Sequence, residues 1–97
     1  MRIEILQAAA NDLREGALFY ERQRAGLGRY FLDKLFNDID SLCHHAGIHP
    51  LYFGYYRMLA KRFPYAIYYR IEGDVACVAA VLDCRRNPLF MKKRLDS

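Results

Sequence analysis

The spacing of apolar and polar residues changes period twice along the chain. Met1 to Leu6 alternates, with Ile3 and Ile5 on one face, and predicts a short strand. Leu13, Ala17, Tyr20 and Arg24 then recur at helical spacing and predict an amphipathic helix with an aromatic anchor. Asn11 and Asp12 fall near its start, where such side chains can accept from free backbone N–H groups. Ala25-Gly26-Leu27-Gly28 breaks the pattern, because two close glycines permit a reversal. A second helix is predicted from about Leu27 to His45. Phe31, Leu35, Ile39 and Leu42 form its stripe, Leu32 and Phe36 widen it, and Asp33, Lys34, Asn37, Asp38 and Asp40 form the wet side. A link this short makes the two helices an antiparallel hairpin, which Gly47 and Pro50 terminate.

From Tyr55 the period becomes twofold. A strand around Met58 is followed by a second in which Tyr65, Ile67, Tyr69 and Ile71 alternate with Ala66, Tyr68 and Arg70. Glu72-Gly73-Asp74 fits a tight turn into a third strand, Val75 to Leu82. Val75, Cys77, Ala79 and Val81 oppose Ala76, Val78, Ala80 and Leu82, so both faces are apolar and the strand is expected to be central. Residues 89–95 suggest a short basic helix. The expected fold is α+β, in the order β-α-α-β-β-β. An N-terminal strand and an antiparallel helical hairpin precede a three-stranded antiparallel meander. The 97 residues fit one domain, 1–97, without repeats or linkers.

The charge is uneven. Residues 1–50 hold six Lys/Arg and seven Asp/Glu, whereas residues 51–97 hold nine and four. The basic excess therefore belongs to the sheet-forming half and favours an acidic partner, nucleic acid or peptide. No apolar run approaches the ~20 residues that cross a bilayer, and the N-terminus lacks a signal-peptide pattern, so no membrane role and a cytoplasmic location are expected. Cys43, Cys77 and Cys84 are too few and too irregular for a disulfide framework. Cys77 reads as a core residue, and Cys84 stands beside two arginines that could activate its thiol. Cys43, His44, His45 and His49 have the wrong spacing for a compact zinc site, so no metal is expected. Neither a nucleotide-binding glycine motif nor a Ser/His/Asp signature is present, and no cofactor is implied.

The candidate chemistry lies in the basic residues of 57–86. Arg57 and Lys61 share a parity and project to one face if both lie in a strand. Arg85 and Arg86 follow the central strand, where Arg86 can approach Arg57 if the strands are neighbours. Such a cluster would hold phosphate or carboxylate, since guanidinium forks match both. The competing reading pairs these arginines with Asp83, Asp74 or helix ends.

At these residues the chain resembles the RelE/ParE toxin superfamily of bacterial type II toxin–antitoxin (plasmid stabilisation) modules. Ala9-Ala10-Asn11-Asp12-Leu13 with Tyr20-Glu21 is similar to its first helix, and Gly26-Leu27-Gly28 before Phe31-Leu32 to its helix turn. Arg57-Met58-Leu59, Phe63 to Tyr69 and Arg85-Arg86-Asn87-Pro88 resemble its strand ends. The resemblance spans nearly the whole chain and implies one of two activities. One branch cuts messenger RNA on the ribosome without a metal, using basic side chains and a general acid/base. The ParE-like branch inhibits DNA gyrase by binding.

Carried over residue by residue, the nuclease branch would use Arg57, Lys61 and Arg86 as catalytic residues. Leu59, Ala66 and Phe90 stand where that branch usually has a basic residue, an arginine and a tyrosine. Phe90 cannot exchange a proton. These departures favour the gyrase-binding branch. The resemblance further implies a cognate antitoxin and no direct operator binding by the toxin alone. Arg57, Lys61, Arg62, Tyr65, Arg85 and Arg86 are the expected partner-binding residues. A tyrosine-rich basic surface also suits a partly disordered acidic chain that folds on binding. The alternatives are the ribosome-dependent endoribonuclease and an inactive member that only binds its antitoxin.

Overall fold

The computed structural model describes residues 1–96. The elements run β1 (Arg2–Ile5), α1 (Gln7–Gln23), α2 (Leu27–Asp40), α3 (Leu42–His45), β2 (Leu51–Tyr52), β3 (Tyr55–Leu59), β4 (Tyr65–Glu72), β5 (Val75–Asp83) and α4 (Pro88–Asp96). One five-stranded sheet has the order β1-β5-β4-β3-β2. Only β1 runs parallel to its neighbour, β5, and the helical hairpin supplies the crossover between them. The α+β order and the central position of the last long strand are as expected. The meander gains a short fourth strand, β2, and the second helix divides at Ser41. There the Ser41 hydroxyl donates to the Asp38 carbonyl at 2.6 Å, a bond that competes with helix continuation.

Two apolar layers sandwich the sheet. On one face the hairpin buries Leu13, Tyr20, Phe31, Leu35, Ile39 and Leu42 against Ile67, Tyr69, Ala76 and Val81. Each fully buried side chain of this size contributes about 1.5–3 kcal/mol. Tyr20, Phe31, Phe63 and Tyr65 form an aromatic knot there, with ring centroids 4.8–6.3 Å apart. On the other face α4 places Met91 and Leu95 over Ala66, Tyr68, Ala80 and Leu82.

Strict alternation along β5 fails. Tyr69 pairs with Val78 but Tyr68 pairs with Ala80, so Ala79 is an extra, bulged residue. The bulge resets the faces: Ala76 and Val78 share the hairpin side with Val81, while Ala80 and Leu82 face α4. It also lies just past the end of β1, which pairs no further than Val78. Beyond that point the outer edge of β5 lacks a neighbouring strand. Asp12 closes the gap. Its Oδ2 accepts the Val81 N–H at 3.0 Å, and both its oxygens accept from the Arg94 guanidinium at 2.7 and 2.8 Å. Asp12 therefore lies within α1, in its second turn, and is no helix cap. It joins α1, β5 and α4 through one buried carboxylate.

The turn between α1 and α2 is equally specific. Gly26 adopts φ 89°, and the Glu21 carboxylate accepts both the Gly26 and Gly28 N–H groups. These two bonds hold the Glu21 pKa below the usual carboxylate range. A Cβ at Gly28 would lie 2.6 Å from the Ala17 carbonyl, so the helices touch backbone to backbone there. Asp38, expected on the wet side, is buried and accepts the Lys61 N–H at 3.0 Å, tying the β3–β4 connection to α2.

Removing the Asp12 carboxylate leaves the Val81 donor and the Arg94 cation without it. Asp12→Ala is expected to cost about 3 kcal/mol in urea unfolding. A loss below about 1 kcal/mol would place Asp12 among ordinary surface positions.

Candidate functional site

The half of the sheet face that α4 leaves uncovered carries the Arg57 site. Met58 packs into the hairpin layer, so Arg57 points the other way, opposite Tyr68. Its guanidinium lies 4.7 Å over the Tyr52 ring and donates to Cys84 Sγ at 3.7 Å. Burial works against its charge, but the Tyr68 hydroxyl and Cys84 outweigh it and raise its pKa. Arg57, not Arg85 or Arg86, is thus the cation against the half-buried Cys84 thiol. Beside it Arg70 lies 5.7 Å over Tyr55 and pairs with Glu72. Two arginines each resting on a tyrosine form a basic, aromatic strip. The partner tyrosines Tyr52 and Tyr55 are visible in the sequence only once β2 is paired with β3.

The other expected site residues go elsewhere. Lys61 and Arg62 are exposed but lie beyond β3, so Lys61 does not share a strand face with Arg57. Arg85 is held by Asp83 through two side-chain bonds of 2.9 and 2.7 Å, which lower the Asp83 pKa. Arg86 sits 4.4 Å over Phe90 and lines a recess of about 240 Å³ that also holds Asp12, Glu15, Asp83 and Arg94. Opposite charges offset one another in that recess. Arg57 and Arg86 rest on different rings, Tyr52 and Phe90. Tyr65 is 7% exposed in the aromatic knot, and burial pushes its hydroxyl up to about 12. It is a core residue and a poor proton donor at neutral pH.

A second surface was hidden from sequence reading. Across the outside of the hairpin runs a groove of about 600 Å³, floored by Leu13, Ala17, Leu18, Leu32 and Phe36 and edged by Arg14, Glu21 and Arg29. Leu18 is 48% exposed and Phe36 40%. Both sit at the border of the helical stripes, where an apolar arc wider than the buried face was the only available signal. Among the described residues, no group of three His, Cys, Asp or Glu is arranged to hold a metal, and no helix is long and apolar enough to cross a membrane.

The family model described as ParE toxin of type II toxin-antitoxin system, parDE, matches residues 3–88. The chain belongs to the ParE toxin family. Among solved structures it is similar to a chain of the "Chromosomal ParDE TA system from P. aeruginosa", with a TM-score of 0.76 and 16% identity. That likeness covers 84% of this chain and 92% of the other and shows the fold. No curated protein matches the chain by sequence. The family match takes in both surfaces: the groove residues all fall within 3–88, as do Arg57, Arg70 and Cys84.

In this ParE-family chain the Arg57 strip depends on how the β2–β3 hairpin is anchored. The Tyr69 hydroxyl accepts the Gly47 N–H at 2.9 Å and is bonded to His49 Nδ1. The hydroxyl keeps a second lone pair and its proton, so either imidazole tautomer is compatible with the Nδ1 bond. Burial, helped by His45, lowers the His49 pKa from its ordinary 6.5. A lowered base pKa makes the folded state bind fewer protons, so acid destabilises it. The His49 contribution to stability is expected to be present above pH 6.5 and to be lost as pH falls below it. In melting curves, His49→Phe is expected to flatten that window. A slope unchanged in the variant would assign the acid sensitivity to other groups.

Proposed function

We propose that this chain is a toxin that acts by binding, with DNA gyrase as its target and a cognate antitoxin as its neutralising partner. Membership of the ParE family supports the general reading. The observation that carries the binding mechanism is what occupies the three positions where, by resemblance, the nuclease branch places its other charges and its hydroxyl. Leu59 is an exposed aliphatic, Ala66 is buried under α4, and Phe90 is occupied by Arg86. Tyr65, expected at the partner surface, is buried in the aromatic knot. A phosphate could meet Arg57, but 2′-hydroxyl attack also needs a positioned acid or base. Arg57, Lys61 and Arg62 are assigned to partner contact, not catalysis.

The antitoxin reading draws on the hairpin groove. An apolar trough between two helices, edged by Arg14 and Arg29, suits an amphipathic helix with acidic flanks. Such a segment would gain order on docking and stabilise the toxin by mass action.

Purified toxin is expected to inhibit gyrase supercoiling and to leave ribosome-bound message intact. Intact supercoiling with clean cuts in the message would reverse the assignment to an endoribonuclease, and no effect on either would leave an inactive antitoxin-binding member. For the groove, Leu18→Asp is expected to weaken antitoxin binding at least tenfold in calorimetry, roughly the cost of placing a charge in an apolar contact. Unchanged affinity would move the antitoxin to another surface.

A further inference from the structure

The turn of the β2–β3 hairpin breaks the rules of its own chemistry. Tyr52 pairs with Tyr55, leaving Phe53 and Gly54 as a two-residue loop. Phe53 has φ 53° and Gly54 φ 84°, the double positive φ of a type I′ turn. Asparagine or glycine normally takes the first of these positions, because a bulky side chain there strains the backbone. Phe53 is the only non-glycine residue with positive φ among the described residues. It gains no burial in return. The ring is 45% exposed and belongs to neither apolar layer. Around it Ile48 is 74% exposed, Leu51 63% and Tyr52 44%. Strain with no folding return at an exposed aromatic is the signature of a functional position.

The surroundings indicate what such a tip meets. Of the neighbouring cations, Arg70 lies over Tyr55 and is paired with Glu72, and Lys61 and Arg62 lie past the far end of β3. That leaves Arg57 as the cation nearest the tip without a carboxylate partner among the described residues. The Arg57 cation rests on Tyr52, one residue from the tip. The complement is an apolar cleft with carboxylates at its rim. The position also matters. β2 is the outermost strand, whereas the antitoxin groove includes Ile5 of β1, at the opposite edge of the sheet. We propose that the β2–β3 hairpin is the target-docking tip, inserting Phe53 and its apolar flank into an acid-rimmed apolar cleft of a target protein. The proposal rests on the toxin reading and assigns that toxin its target-facing surface.

The test exploits the strain. Phe53→Asn suits the turn better, so the melting temperature is expected to rise by a few degrees while the anchor is lost. Wild type, Phe53→Asn and Leu89→Ser (an exposed apolar residue on α4, 72% accessible) are induced in a bacterial host and growth is followed. Phe53→Asn is expected to need on the order of tenfold more protein for arrest, as loss of a central anchor does, and Leu89→Ser to arrest growth as wild type does. Arrest by Phe53→Asn at wild-type dose overturns the inference alone, as does an equal loss in Leu89→Ser or a lowered melting temperature in Phe53→Asn. A wild-type chain that arrests no growth removes the toxin reading and this inference with it. Labelled oligo-dT and oligo-rU are titrated in parallel, and an affinity that depends on Phe53 would overturn a protein target.

Discussion

The Asp12 carboxylate is the contact on which the three layers converge. β1 is too short to cover β5, so the second half of β5 would present a bare edge to solvent. An open edge exposes backbone donors and invites pairing with other chains. Asp12 takes the Val81 N–H at that edge and holds Arg94 of α4 with the same group. One side chain of α1 thus covers the edge and fixes the helix on the far face. The bulge at Ala79 belongs to the same arrangement, since it sets the register in which Val81 turns its N–H outward.

Once α1 and α4 are fixed, the two exposed surfaces follow. The hairpin closes through Glu21 and the bare face of Gly28, which bring α1 and α2 into backbone contact. Helices this close cannot bury the full width of their apolar stripes, and the excess becomes the groove. On the other face α4 covers β5 and part of β4. The β3 side keeps Arg57 and Arg70 on their tyrosines, uncovered. A groove at one edge and a basic aromatic tip at the other give this small domain two separate exposed surfaces.

Much of this was legible in the sequence. The Phe31, Leu35, Ile39, Leu42 stripe is buried throughout, and the twofold pattern of Tyr65 to Ile71 places the strand core correctly. Periodicity finds the buried stripe of a helix, and on β4 it sorts residues between two faces that are both buried. It misled where long-range pairing decided. Asp12 read as a cap because its partners are 69 and 82 residues away. Asp38 read as wet because its partner is a backbone N–H from the sheet half. The contact of Arg86 with Phe90, four residues on in the next helix, has no signal in the strand pattern. The strain at Phe53 has no sequence signal beyond a glycine after an aromatic residue, and β2 is too short to show a period.

Amide hydrogen exchange at Val81 probes the carboxylate closure most directly. If Asp12 seals the β5 edge, this amide exchanges only through global unfolding, with a protection free energy within about 1 kcal/mol of the slowest core amides. Exchange at the rate of frayed chain ends would mean that the edge is open, and that Asp12 does not hold the layers together.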